Sequence, residues 1–168
     1  MRMRLVRPTW LLCVAAGTVA MTSPLSTGAQ SRLPAAHERA LTDTLAGFVR
    51  RMGELLARRD ADGATALYGR PQTLVHIENG VIIPWRELEP QMRQYLTTVS
   101  SNPVSIVGDP RVIVLGRDVA VVWAVHRFAG NATVPRHDGV WTAVLERREG
   151  RWRIVHSHGS DVPAQKTR

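Results

Sequence analysis

The amino-acid sequence predicts an α+β protein in which helices come first and long strands follow. Before residue 60, apolar residues recur at steps of three and four, which is typical of a helix with one buried face. Beyond residue 104, runs rich in β-branched residues are separated by tight turns. Long strands joined in this way predict an antiparallel, curved sheet. Because the helices precede the strands instead of alternating with them, the pattern favours α+β over α/β.

The composition is that of one globular domain with a hydrophobic core. The chain has 168 residues, a formal net charge of +8 and 44% hydrophobic residues, which excludes a disordered chain. Its single cysteine excludes a disulfide framework and any multi-cysteine metal site. The arginines are scattered and rarely have an aromatic neighbour, so they indicate a solvated basic surface. We therefore expect no nucleic-acid partner.

The N-terminal segment has the three parts of a secretory signal peptide. Three arginines precede the apolar run Thr9–Met21, and small polar residues follow up to Ala29. The apolar run is too short to span a bilayer, although an uncleaved membrane anchor is the alternative interpretation. We expect a secreted or periplasmic bacterial protein with no stable membrane span after cleavage. The predicted organisation is a signal peptide at 1–29, a flexible lead-in at 30–35, a folded domain at 36–163 and a polar tail at 164–168.

Three helices are predicted ahead of the long strands. The first runs from about Pro34 to Arg59 and has a buried stripe at Leu41, Leu45, Phe48, Met52 and Leu55. The second runs from Ala64 to Tyr68, with Asp62 as its N-cap. Pro84 and Trp85 open the third, and its regular part starts near Glu87 so that Pro90 falls in or near the first turn.

The remaining segments predict strands, joined by recognisable turns. Asn79-Gly80 predicts a hairpin turn because both residues tolerate a positive φ, and Gly108-Asp109-Pro110 predicts a bulge or bend. The predicted strands are Gln72–Glu78, Val81–Ile83, Val104–Val107, Arg111–Leu115, Val119–Phe128, His137–Arg148 and Arg151–Ser160.

Strand alternation separates the two faces of the predicted sheet. His126 shares one face with Ala120, Val122 and Ala124, and these small neighbours leave space above the sheet, as a pocket requires. A histidine at this position can act as a general base or bind a ligand, and a satisfied core histidine is the alternative. Trp141 on the next strand is assigned to the same face.

The opposite face of the long strand is also apolar. It carries Val119, Val121, Trp123 and Val125, as expected of a surface that a second subunit covers. We therefore predict a homodimer formed through this outer face of the sheet.

Two further pairs of polar residues share strand faces. His76 and Glu78 form either a proton-transfer pair or part of a solvated edge. His156 and His158 can chelate a metal only with a third ligand, and neither a cysteine nor another clear ligand is available unless His76 or Glu78 comes close. We therefore predict no metal and no cofactor, and assign this pair a structural role near an interface.

The end of the chain adds a family resemblance. Its closing stretch, Glu149–Ser160, contains Gly-Arg-Trp followed by His-Ser-His-Gly-Ser. Together with the element order, it resembles SnoaL-like domains and the calcium/calmodulin-dependent kinase association domain, both of the nuclear transport factor 2-like superfamily. The resemblance covers roughly Ala36 to Pro163. The association domain has similar residues at Asp109-Pro110, Gly116-Arg117-Asp118 and Pro135-Arg136.

This resemblance implies a fold and a pocket. The fold is a cone, also called cystatin-like, in which a bent sheet wraps around the helices and leaves a pocket at its open end. Many members form dimers through the outer face of the sheet. Since the superfamily contains enzymes, hub domains and transport factors, the fold alone does not define a function. At the pocket positions that the resemblance implies, His126 is the one ionisable residue.

We carry three functional hypotheses from the sequence. The leading one is an exported SnoaL-like domain that binds an apolar small molecule in its cone pocket. The second is a cofactor-independent isomerase, dehydratase or hydrolase with His126 as general base and with Tyr68 or Ser157 as orienting groups. The third is a structural dimerisation module. The predicted ligand-binding residues are His126, Trp141, Tyr68, Ser157, His76 and His158.

Overall fold

The computed structural model describes residues 33–69, 72–98, 104–129 and 136–161. The predicted signal peptide, the first half of the lead-in and the predicted tail lie outside these residues. The described chain forms α1 (Ala35–Ala57), α2 (Ala61–Thr65), β1 (Val75–Glu78), β2 (Val81–Pro84), α3 (Trp85–Thr98), β3 (Val104–Val114), β4 (Val119–Phe128), β5 (His137–Arg148) and β6 (Arg151–Asp161).

The three helices occupy the predicted segments, but the start of α2 differs. Asp60, not Asp62, is its N-cap, and its carboxylate accepts the Gly63 N–H at 2.8 Å. The predicted cap was two residues too late because Asp62 is already inside the helix, where its side chain pairs with Arg93 instead. Tyr68 consequently follows α2 and forms an isolated parallel bridge with Ile154.

The helix α3 opens at Trp85 as predicted, but its regular part also begins there and not near Glu87. The helix begins at Trp85, whose N–H donates to the Leu74 carbonyl at 3.2 Å and whose indole packs on Tyr68. These contacts fix the first turn before Glu87, and Pro90 therefore lies inside the helix and not in its first turn. Pro90 and Arg86, whose carbonyl has no helical N–H partner because of the proline, both lie on an exposed face of the helix.

The strands form one six-stranded sheet in the order β2-β1-β6-β5-β4-β3. Neighbouring strands are antiparallel, as predicted, except that β1 and β6 run parallel. The exception arises because α3 and four strands separate β1 from β6 along the chain, so no tight turn imposes an antiparallel direction. The sheet is therefore mixed, and the α+β class predicted from the sequence is confirmed.

Two irregularities bend the strands. The β3–β4 register shifts between Val107 and Arg111, where Gly108 has φ 71°, so the predicted bend lies within one continuous strand. A second shift lies in β6, where His156 pairs with Val144 but Ile154 pairs with the next residue of β5. One extra residue in β6 therefore changes which side chains face inward.

The hydrophobic core lies between the helices and the inner face of the sheet. The alternation predicted for β4 is confirmed, because Ala120, Val122 and Ala124 are fully buried whereas Trp123 is exposed on the outer face. The rest of the core is built from Leu45, Val49, Leu55, Ala64, Leu67, Leu96, Trp141, Ala143, Leu145 and Ile154.

Candidate functional site

A mainly apolar cavity lies between α1 and the inner face of the sheet. Its volume is about 150 Å³. His126 is its one ionisable lining residue, and Trp141 supplies an aromatic wall. The remaining lining residues are Val49, Met52, Leu56, Val104 and Ile106. Three small residues on β4 precede His126 on the same face, which is why the sheet leaves room there.

His126 reaches across a neighbouring strand to a carboxylate. It pairs with Gly139 on β5, which in turn pairs with Asp161 on β6. The imidazole lies over Gly139, where a Cβ atom would be 2.5 Å from Nε2 and Cε1. Because Gly139 has no side chain to block the approach, His126 Nε2 comes within 3.5 Å of Asp161 Oδ1.

Asp161 is held by two further side chains. His137 Nε2 lies 3.1 Å from the same Oδ1 atom. Asn79 donates through Nδ2 to Oδ2 at 2.9 Å, and its own Oδ1 accepts the Asp161 N–H at 2.8 Å. Burial pushes the pKa of Asp161 upward, but the Asn79 hydrogen bond and the two histidines outweigh it and leave the pKa below its ordinary value. The carboxylate is therefore ionised at neutral pH.

A second polar cluster lies deeper, against α3. The Ser157 hydroxyl lies 2.9 Å from His76 Nδ1, and His76 Nε2 lies 3.0 Å from Glu78 Oε2. A carboxylate only accepts, so His76 Nε2–H donates to Glu78, while Nδ1 meets the Ser157 hydroxyl. The hydrogen bonds thus link Ser157 to Glu78 through His76.

The Tyr68 hydroxyl is the buried end of a residue that is partly exposed overall. Burial, opposed by a hydrogen bond with Ser157 and assisted by the charge of Glu78, raises the pKa of Tyr68 to about 12. Its ring packs 5.0 Å from the Trp85 ring. Ser157 is fully buried, so this end of the cluster is closed to a ligand and acts as a hydrogen-bonded part of the core.

A family model, the SnoaL-like domain, matches residues 46–165. The chain belongs to the SnoaL-like family. No curated protein is significantly similar in sequence.

Solved structures share the fold of this SnoaL-like protein. A nuclear transport factor 2-like protein of unknown function from Shewanella oneidensis has a TM-score of 0.57 and 21% identity, covering 71% of this chain and 98% of that one. The association domain of CaMKII from C. elegans has a TM-score of 0.58 and 23% identity, covering 73% and 97%. A protein of unknown function with a cystatin-like fold from Nostoc punctiforme has a TM-score of 0.56 and 13% identity, covering 80% and 98%.

The predicted site residues fall into three places in this SnoaL-like domain. His126 and Trp141 line the cavity, whereas Tyr68, His76 and Ser157 meet in the deeper cluster. His158 is exposed on the outer face, as its pairing with Thr142 requires, and is apart from both groups. It shares that face with His156, as predicted.

Sequence reasoning missed the residues around Asp161. The predicted last strand ended at Ser160, whereas β6 continues through Asp161. Alternation was the available signal, since Ser157, Gly159 and Asp161 follow one another at steps of two. Asn79 and His137 gave no signal, because only the sheet register brings them to Asp161.

Two observations concern metals and membranes. Within the described ranges, no group of three histidine, cysteine or acidic side chains is arranged to hold a metal ion. No helix in the part of the chain that the structure describes combines the length and apolar character needed to span a membrane.

Proposed function

We propose that this SnoaL-like protein is exported and binds an apolar small molecule in the cavity beside His126. The observation that carries the proposal is the cavity lining, in which apolar and aromatic side chains surround one ionisable residue. Ligand pockets typically combine such walls with a few polar groups that orient the ligand. Export rests on the charge and hydropathy pattern of residues 1–29.

Toluene is a suitable probe of the cavity. Binding to the native state alone raises the unfolding temperature, so saturating toluene should stabilise the protein purified from the exported fraction. Leu56→Trp should abolish this shift because a larger ring fills the cavity. Val81→Trp, at an exposed position on β2, is the control and should retain it.

Three results would contradict the proposal. The absence of any toluene shift in the wild-type protein would rule out an apolar ligand site. An equal shift in Leu56→Trp would place the bound toluene elsewhere. Failure of the protein to reach the exported fraction would overturn the export proposal alone.

A second candidate function is proton transfer from a carbon or oxygen acid. The observation that favours it is the approach of His126 Nε2 to the ionised Asp161, which orients an imidazole in the way a general base requires. The test is exchange of the methyl hydrogens of acetophenone for deuterium in D2O, followed by NMR. His126→Gln should abolish exchange, whereas His158→Gln on the outer face should not. Exchange that persists in His126→Gln would contradict this candidate.

We propose further that two copies associate through the outer face of the sheet. Ile113, Trp123 and Val140 lie on three adjacent strands of this face and are 53%, 38% and 36% exposed. Such a contiguous apolar patch is unusual on a protein that functions alone. A second copy is the favoured occupant because the same apolar patch on two copies can meet about a two-fold axis. The similarity to an association domain supports this choice.

A further inference from the structure

We infer that the ligand is a single-ring aromatic compound whose polar group is a hydrogen-bond donor, such as a phenolic hydroxyl, directed at His126. This inference rests on the proposed function and specifies the chemical class of the ligand. The side chains around His126 select the polar group of the ligand, and the size of the cavity selects its ring.

The arrangement around His126 selects one tautomer of the imidazole. Asp161 Oδ1 faces His126 Nε2 at 3.5 Å, and an ionised carboxylate repels a bare nitrogen lone pair but attracts an N–H. The neutral imidazole therefore carries its proton on Nε2. Nδ1, the other nitrogen of this cavity-lining ring, is then an acceptor without a proton of its own.

Other charged groups near His126 do not reverse this preference. Asp138 is the second carboxylate in its neighbourhood, but both of its oxygens accept from Arg127, through Nε and a terminal nitrogen at 2.7 Å each. His137 Nε2 lies 3.1 Å from the same Asp161 oxygen, and its imidazole adds no second carboxylate beside His126. Asp161 is thus the carboxylate that selects the tautomer.

The cavity selects the size of the ligand. Its volume of about 150 Å³ equals that of an engineered apolar protein cavity known to hold one benzene molecule. Trp141 provides an aromatic wall on the strand next to His126. A ring that fills this space and carries one hydroxyl satisfies both the apolar lining and the bare Nδ1 atom. A ligand with only an acceptor would leave two lone pairs facing each other.

Three probes of nearly equal size test the inference on the full chain. Toluene has no polar group, anisole has an acceptor only, and phenol has a donor. Titration calorimetry should show that phenol binds on the order of tenfold more tightly than anisole, because only phenol pairs with Nδ1. Anisole binding as tightly as phenol while toluene also binds would overturn the inference and leave the proposed function intact. Failure of all three probes to bind would overturn both.

Substitution of Asp161 tests the role of the His126 tautomer independently of the fit of the ring to the cavity. In Asp161→Asn the amide can donate to Nε2, so the proton moves to Nδ1 and the preference for phenol over anisole should disappear while toluene still binds. Asp138→Asn is the matched control and should retain the preference. A full preference for phenol in Asp161→Asn would overturn the inference. If that variant does not fold, His126→Leu provides the same test, since it should bind toluene but no longer favour phenol.

Discussion

At the residue scale, two glycines make room for ionisable side chains of the neighbouring strands. Gly139 lies beneath the His126 ring, and Gly159 lies beneath the Glu78 carboxylate. At either position a Cβ atom would overlap the side chain above it. Each glycine therefore leaves space on the inner face of the sheet, and an ionisable side chain of a neighbouring strand occupies that space.

Tyr68 gives a prediction at the same scale. In the unfolded chain Tyr68 ionises near its ordinary pKa of 10.0, whereas burial delays ionisation in the folded protein to about 12. The free energy of unfolding should therefore fall as the pH rises from 10 to 12, by about 3 kcal/mol from this residue. Tyr68→Phe keeps the ring on Trp85 but removes the titrating hydroxyl, so its stability should decline less over that interval. Urea denaturation at several pH values measures both proteins, and equal slopes would contradict the assignment.

At the element scale, the extra residue in β6 determines which side chains face the core. Ile154 and Ser157 are both fully buried, although a regular strand would place residues three apart on opposite faces. The register shift against β5 lies between them. It directs Ser157 toward His76 and turns His156 and His158 outward, and so separates the deeper cluster from the histidine pair.

The short helix α2 provides the element-scale prediction. Asp60 accepts the Gly63 N–H, so Asp60→Ala should lower the free energy of unfolding by about 1 kcal/mol. Asp62 is highly exposed and pairs with Arg93 at the surface, so Asp62→Ala should cost about 0.5 kcal/mol or less. Chemical denaturation of the two variants compares these losses. A larger loss from Asp62→Ala would mean that the cap is assigned to the wrong aspartate.

At the scale of the whole molecule, the outer sheet face controls the proposed association. Trp123→Glu places a charge in the centre of this patch, and because the side chain is 38% exposed in the single chain, the fold should be retained. Light scattering coupled to size exclusion should report twice the chain mass for the wild-type protein and one chain mass for this variant. Ile82→Glu, on the β2 edge, is the control and should remain dimeric. A monomeric wild-type protein, or a dimeric Trp123→Glu, would contradict the proposal.

The sequence by itself determined the class of fold and the face on which residues of regular stretches of strand lie. Alternation is a local property of an extended chain, so it placed His126 and Trp141 on the cavity side and Trp123 outside. The same reasoning identified His76 with Glu78 as a pair on one face, and the structure joins them by a hydrogen bond.

Only the tertiary structure decided how these residues combine. The parallel contact of β1 with β6 brings His76 to Ser157, and the β4–β5–β6 register brings His126 to Asp161 over Gly139. Both encounters join positions more than thirty residues apart in the chain. Strand order, direction and register depend on how the whole sheet packs against the helices, and a local sequence pattern carries no information about them.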